Sequence, residues 1–233
     1  MHASDPGSHW YDGDENAPDC VGEPVWIAGP AGALQGITAC PSEGRPMHGI
    51  GVICHPHPLY GGTLHNKVVD VLSRTLNDLG VSTLRFNFRG VESSEGQYAG
   101  GVGEADDLRA VLRWAQGQRP GHPLWLAGFS FGAYVAMQVA HEFPLVQLIT
   151  VAPPVNFFDF TTIPAPRCPW LLAQGEADEI VPSEQVFAWA QCQDPPPDII
   201  RMPDVGHFFH GNLNRLRERL NERMLQSHAA SAT

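Results

Sequence analysis

From Pro24 onward the chain alternates between short, wholly apolar runs and stretches in which apolar residues return every three or four positions. The first kind reads as buried strand and the second as one-sided helix. Ile50–Cys54 is the earliest fully apolar, β-branched run, and Val81–Phe88, Leu124–Phe129, Leu145–Ala152, Trp170–Gln174 and Ile199–Met202 follow it. Between them Val69, Leu72, Leu76 and Leu79 mark a helix that Gly80 is placed to end. Leu108, Val111, Leu112 and Ala115 mark a second, with Glu104, Asp106 and Asp107 in its first turn, where carboxylates favour the dipole. Ala136, Val139, Ala140 and Phe143 form the stripe of a third, Ser183–Ala190 a fourth, and Leu213, Leu216 and Leu220 a fifth. Val25–Ala28 and Leu34–Ala39, around Gly29-Pro30, read as an opening antiparallel hairpin.

Alternating strand and helix predicts parallel strands joined by right-handed crossovers, hence an α/β protein with a mostly parallel, doubly wound sheet flanked by helices. Reacting groups in such sheets collect in loops at the carboxyl ends of the strands. A length of 233 residues suits one large domain, taken as 24–227. Residues 1–23, with Asp5, Asp12, Asp14, Glu15 and Asp19 among Gly, Ser and Pro, read as a flexible lead-in, and 228–233 as a short tail.

Hydrophobic residues at 43% and charged ones at 17% place the chain among globular proteins. A net charge of -11 disfavours nucleic acid and anionic membrane as partners and leaves a small neutral or amphipathic ligand. Neither a run of membrane-spanning length nor a secretory leader is expected. Five cysteines, odd in number and without metal-ligand spacing, read as reduced thiols in a cytoplasmic protein. Nothing in the pattern distinguishes a monomer from a homodimer.

The chemistry starts at Gly128-Phe129-Ser130-Phe131-Gly132, where a strand feeds directly into a helix. Two glycines allow a sharp, crowded turn that exposes the Ser130 hydroxyl beside a helix N-terminus. A serine hydroxyl is a weak nucleophile that needs a base, and the base needs a partner to fix its tautomer. Asp178, just past one strand, and His207, just past the last, supply both in the order Ser, Asp, His. Rival acids are Glu176 and Asp159; the rival base is His210; Asp204 reads as a turn residue. Competing readings make Ser130 a helix cap, Asp178 a cap of the next helix and His207 a solvated side chain.

An acyl-transfer site also needs N–H donors for the developing oxyanion. Phe131, after the nucleophile, offers one. The loop His55-Pro-His-Pro-Leu-Tyr-Gly-Gly-Thr63 offers the other: Pro56 and Pro58 have no N–H, which leaves His57 or Leu59, and His57 is nearer the strand end. Leu59, Tyr60 and Phe129 are expected against the substrate. A zinc reading of His55, His57 and His65 lacks nearby carboxylates and is set below the nucleophilic one, so no metal is expected.

These motifs are distributed over Val25 to Leu220: His55-Pro56 with Gly61-Gly62 and Asn66-Lys67, Arg85-Phe-Asn-Phe-Arg-Gly90, the Ser130 turn, Gly175-Glu-Ala-Asp178 with Val181-Pro182, and Gly206-His-Phe-Phe-His210. The chain resembles the α/β-hydrolase superfamily, in particular small lidless bacterial serine hydrolases and esterases related to dienelactone hydrolases. The resemblance implies an α/β-hydrolase fold without a large cap, a Ser130, Asp178, His207 triad, an oxyanion hole from Phe131 and the His55 loop, and no cofactor. It also implies a structural role for Arg89-Gly90. Dienelactone hydrolases carry cysteine as nucleophile, so serine favours ordinary carboxylic esters. Thioester or amide hydrolysis on the same groups, and a binding module without turnover, are the alternatives. Only Pro153–Pro169 stands where a cap would be inserted, which implies a shallow cleft with Phe157, Phe158 and Phe160 either as its walls or as packing beneath a loop.

Overall fold

The computed structural model describes residues 24–41 and 47–231. The expected lead-in at 1–23 lies outside the described residues. The strands are β1 (Pro24–Gly29), β2 (Gly32–Ala39), β3 (Gly49–Cys54), β4 (Val81–Phe86), β5 (Leu124–Phe129), β6 (Leu145–Val151), β7 (Trp170–Gly175) and β8 (Asp198–Met202). The helices are α1 (Lys67–Asp78), α2 (Val102–Gln118), α3 (Phe131–Ala140), α4 (Ser183–Gln191) and α5 (Leu213–Ser231). They form one eight-stranded sheet in the order β1-β2-β4-β3-β5-β6-β7-β8. β1 and β2 are the expected hairpin, β2 joins β4 antiparallel, and every pairing from β4 to β8 is parallel.

Helices cover both faces, so β3, β5 and β7 are buried at every position. One face packs Leu108, Val111, Val135 and Val186 of α2, α3 and α4. The other packs Leu72 and Leu76 of α1 with Leu216 and Leu220 of α5. α1 starts where the Asn66 side chain accepts the Val68 and Val69 N–H groups, and ends before Gly80 at φ 79°.

Two of the carboxylates assigned to the first turn of α2 do more than complement its dipole. Glu104 is fully buried and accepts from the Ala99 and Gly101 N–H groups at 2.8 and 2.7 Å. Asp107, also buried, holds the Arg89 guanidinium at 2.7 to 3.1 Å and the Arg89 N–H at 3.0 Å. This pins the loop after β4 to α2, a structural role for Arg89.

Three expectations change. The β6–β7 crossover carries no helix, so strict alternation fails there although the strands stay parallel. α5 continues to Ser231, past the boundary expected at 227, because helix propensity persists after its apolar stripe ends. Cys54, Cys168 and Cys192 are free, but Cys40 is disulfide-bonded. An odd cysteine count does not reveal which pair the fold brings together, and the inference from reduced thiols to a cytoplasmic protein loses its basis at Cys40. Among the described residues, no helix is long and apolar enough to cross a membrane.

Candidate active site

The turn between β5 and α3 is as crowded as its glycines require. A Cβ on Gly128 would lie 2.3 Å from the Gly132 carbonyl oxygen, and one on Gly132 would lie 2.3 Å from that of Cys54. Ser130 itself sits at φ 52°, a left-handed conformation that a β-substituted residue adopts only when its surroundings impose it. Its N–H donates to the Val151 carbonyl at 2.8 Å, tying the turn to the end of β6. Its side chain makes no capping bond to α3, so the helix-cap reading does not describe this hydroxyl.

That hydroxyl lies 3.0 Å from Nε2 of His207. His207 is 3% exposed, and its Nδ1 lies 2.8 Å from Oδ2 of Asp178. Asp178 is saturated with donors: Oδ1 accepts from the Ile180 and Val181 N–H groups at 2.9 and 2.7 Å, and Oδ2 also accepts from the Gln174 amide at 3.0 Å. Burial pushes its pKa up, but the His207 hydrogen bond and charge and the two backbone donors outweigh burial and bring it below the usual value. An ionised Asp178 only accepts, so Nδ1 of His207 carries the proton and Nε2 is free to accept from Ser130.

His207 is also held from its backbone. Its N–H donates to Oε2 of Glu179 at 3.2 Å, and a Cβ on Gly206 would stand 2.6 Å from that oxygen. Beneath the imidazole lies the Phe129 ring, with centroids 5.2 Å apart. Phe129 is fully buried and packs on Phe209 as well, so the expectation that it touches substrate is corrected. The alternation along β5 turns it under the His207 ring and away from solvent.

None of the rivals is tied to this cluster. Asp159 accepts from the Thr161 N–H and hydroxyl at 2.8 and 2.6 Å. Glu176 faces Arg201 at 3.6 Å, exposed His210 stacks on Phe208, and Asp204 takes a turn conformation at φ 61°.

The loop after β3 separates its two histidines. His55 is fully buried: Nδ1–H donates to the Pro56 carbonyl at 2.6 Å and Nε2 accepts from the Phe88 N–H at 3.1 Å. Burial lowers its pKa to about 4, so it is neutral at ordinary pH with both ring nitrogens committed. His57 lies within 5.0 Å of the Phe131, Tyr98 and Tyr60 rings between centroids, and its Nε2 is 3.1 Å from the Tyr98 hydroxyl. Its Nδ1 accepts the Leu59 N–H at 3.2 Å, which occupies that donor. The His57 N–H has no acceptor among the described residues, and that of Phe131, first residue of α3, has no intrahelical one.

Leu59 and Tyr60 are 67% and 87% exposed at the loop tip. The three phenylalanines of the uncapped crossover divide. Phe158 stacks on Tyr134 at 4.4 Å and reaches Phe131 at 5.6 Å, Phe160 is buried against Tyr134 and Trp189, and Phe157 is exposed. Sequence reasoning missed Gln174, Glu179 and Tyr98. Gln174 had a visible signal, a lone polar residue closing the apolar run Trp170–Ala173.

No family model matches the chain. An α/β serine hydrolase without a lid from Xanthomonas campestris is 41% identical, with a TM-score of 0.84 over 88% of this chain and 94% of that one. An α/β serine hydrolase homologue from Coxiella burnetii is 47% identical, with a TM-score of 0.83 over 86% and 96%. An uncharacterized protein of Rickettsia prowazekii is 38% identical over 167 residues, 70% of this chain and 69% of that protein. The chain belongs to the lidless α/β serine hydrolases. It is a hydrolase by that membership, with the α/β-hydrolase fold and no large cap.

Proposed function

We propose that the protein hydrolyses small carboxylic esters through an acyl-enzyme formed on Ser130. The observation that carries this reading is the position of His207, 3.0 Å from the Ser130 hydroxyl on one side and 2.8 Å from Asp178 on the other. Ser130 Oγ attacks the ester carbonyl carbon as its proton passes to Nε2 of His207, and Asp178 stabilises the imidazolium. The N–H groups of Phe131 and His57 receive the oxyanion. Collapse of the tetrahedral intermediate breaks the bond to the alcohol oxygen, which leaves with the proton from His207. Water then attacks the acyl carbon, gives a proton to His207, and the Ser130 oxygen departs with it.

The substrate class follows from the missing cap. Exposed Leu59, Tyr60 and Phe157, with His57 and Phe158 lower down, offer apolar contact without enclosure. Such a rim holds a short acyl or alcohol group better than a long chain. The test is a fluorophosphonate probe with a series of p-nitrophenyl esters. One covalent adduct on the protein and none on Ser130→Ala, with rates falling beyond medium chain length, is the expected outcome. Turnover without labelling overturns the acyl-enzyme, and equal rates on long chains overturn the open rim.

A further inference from the structure

Two segments that carry the family resemblance, Asn66-Lys67 and Arg85, take no part in the proton relay. They meet instead in a cavity of about 440 Å³, a size suited to small ligands, at the starts of α1 and α5 and the end of β4. Its charged lining is His65, Lys67, Asp70, Arg74, Arg85 and Arg217, with Asn214 beside them, and it includes none of Ser130, Asp178 and His207. In a chain of net charge -11 this is an inversion of sign.

The cations are only partly answered. Asp70 takes Arg74 at 2.8 Å and Arg85 at 3.2 Å, and Asp78 takes Arg217 at 2.6 Å. Four cations against two carboxylates leave two positive charges. His65, 4.0 Å from Glu92, is left out of that balance. Lys67 has no ion-pair partner among the described residues, and Nε of Arg85 is buried without a hydrogen-bond partner. α1 and α5 begin at Lys67 and Leu213, both on the cavity wall, so the positive ends of two helices add to the field. Asn66 already caps the Val68 and Val69 amides, so α1 contributes potential and not free donors.

We propose that this cavity binds a phosphate group, held principally by Lys67 and Arg85, as a site separate from the ester-cleaving one. A dianion neutralises the two uncompensated charges. A tetrahedral oxyanion also accepts from donors converging from β4, α1 and α5 at once, whereas a planar carboxylate meets them on one edge.

The experiment is calorimetric titration of the full chain at fixed ionic strength with inorganic phosphate, phenyl phosphate and, as a dicarboxylate control, succinate. Saturable one-to-one binding of phosphate is expected, retained in Ser130→Ala and weakened about tenfold in Lys67→Gln, whose exposed side chain is not needed for folding. Tighter binding of phenyl phosphate assigns the site to phosphomonoesters; equal binding assigns it to free phosphate. Absence of saturable heat up to about 20 mM, unchanged affinity in Lys67→Gln, or succinate binding as tightly overturns the proposal.

Discussion

The loop after β3 and the loop after β8 each bury a histidine at the carboxyl edge of the same sheet, and the two side chains are put to opposite uses. His55 has only backbone partners, a carbonyl and an N–H, so its proton has nowhere to go. His207 has a carboxylate on one nitrogen and a hydroxyl on the other. Burial is common to both and does not separate them. The partners do: main-chain groups fix an imidazole as a neutral brace, and side chains that can exchange or stabilise a proton fit it for the relay proposed above.

The sharpest break in that contrast is at the relay. His207→Gln or Ser130→Ala should lower ester hydrolysis by about 10⁴- to 10⁶-fold with little change in thermal midpoint; activity within tenfold of the parent would remove His207 from the relay. Asp178→Asn should lower kcat by about 10⁴-fold, because an amide can donate to Nδ1 and turn the protonated nitrogen toward Ser130.

His55→Leu should act on stability instead. It strands the Phe88 N–H and should cost about 1–3 kcal/mol, read from urea unfolding. The acid response sharpens this. His55 is neutral in the folded chain down to about 4, while an unfolded histidine protonates near 6.5. Between those values the unfolded chain binds the extra proton, so stability falls with falling pH by up to about 1.4 kcal/mol per unit. His55→Leu should flatten that window. Asp178, whose pKa is lowered on folding, gives a loss of the same sign only once pH drops below the ordinary carboxylate value. A slope unchanged in His55→Leu would show that another group titrates there.

The smallest expected effect concerns Gln174, a positioning residue behind Asp178. Gln174→Met should lower kcat by about tenfold or less with KM unchanged, since Oδ2 of Asp178 then loses the amide donor that fixes its angle to His207. An unchanged kcat with a lowered thermal midpoint would reduce Gln174 to a packing role.

Much of this was readable from the chain. The strands, helices and hairpin follow from periodicity, because each element is buried on a face that its pattern declares. That Ser130, Asp178 and His207 come together was legible because each stands just past the end of a parallel strand, where such a sheet gathers its loops. Phe129 was misread because a residue inside the motif need not face the site; the strand's alternation, and not its proximity to Ser130, sets its direction. Glu179 was missed because an exposed acidic residue beside an acid already assigned carries no periodic signal. Its role arises only when Gly206 lets the β8 loop close against it. The Cys40 disulfide carries no signature in the local pattern of apolar and polar positions.

That closure has a mechanical consequence. β8 is the edge strand, but past its end the Glu176 and Ala177 N–H groups still bind the Met202 and Val205 carbonyls, at 2.9 and 3.1 Å. Neighbouring carboxylates then grip one histidine by ring and by main chain. Asp178 and His207 are thus joined to each other at the sheet's margin, after β7 and β8, while Ser130 follows β5, two strands in from β7. Breathing of that margin would lengthen the gap to the hydroxyl and leave the buried hydrogen bond between Asp178 and His207 intact, uncoupling the serine without unfolding anything.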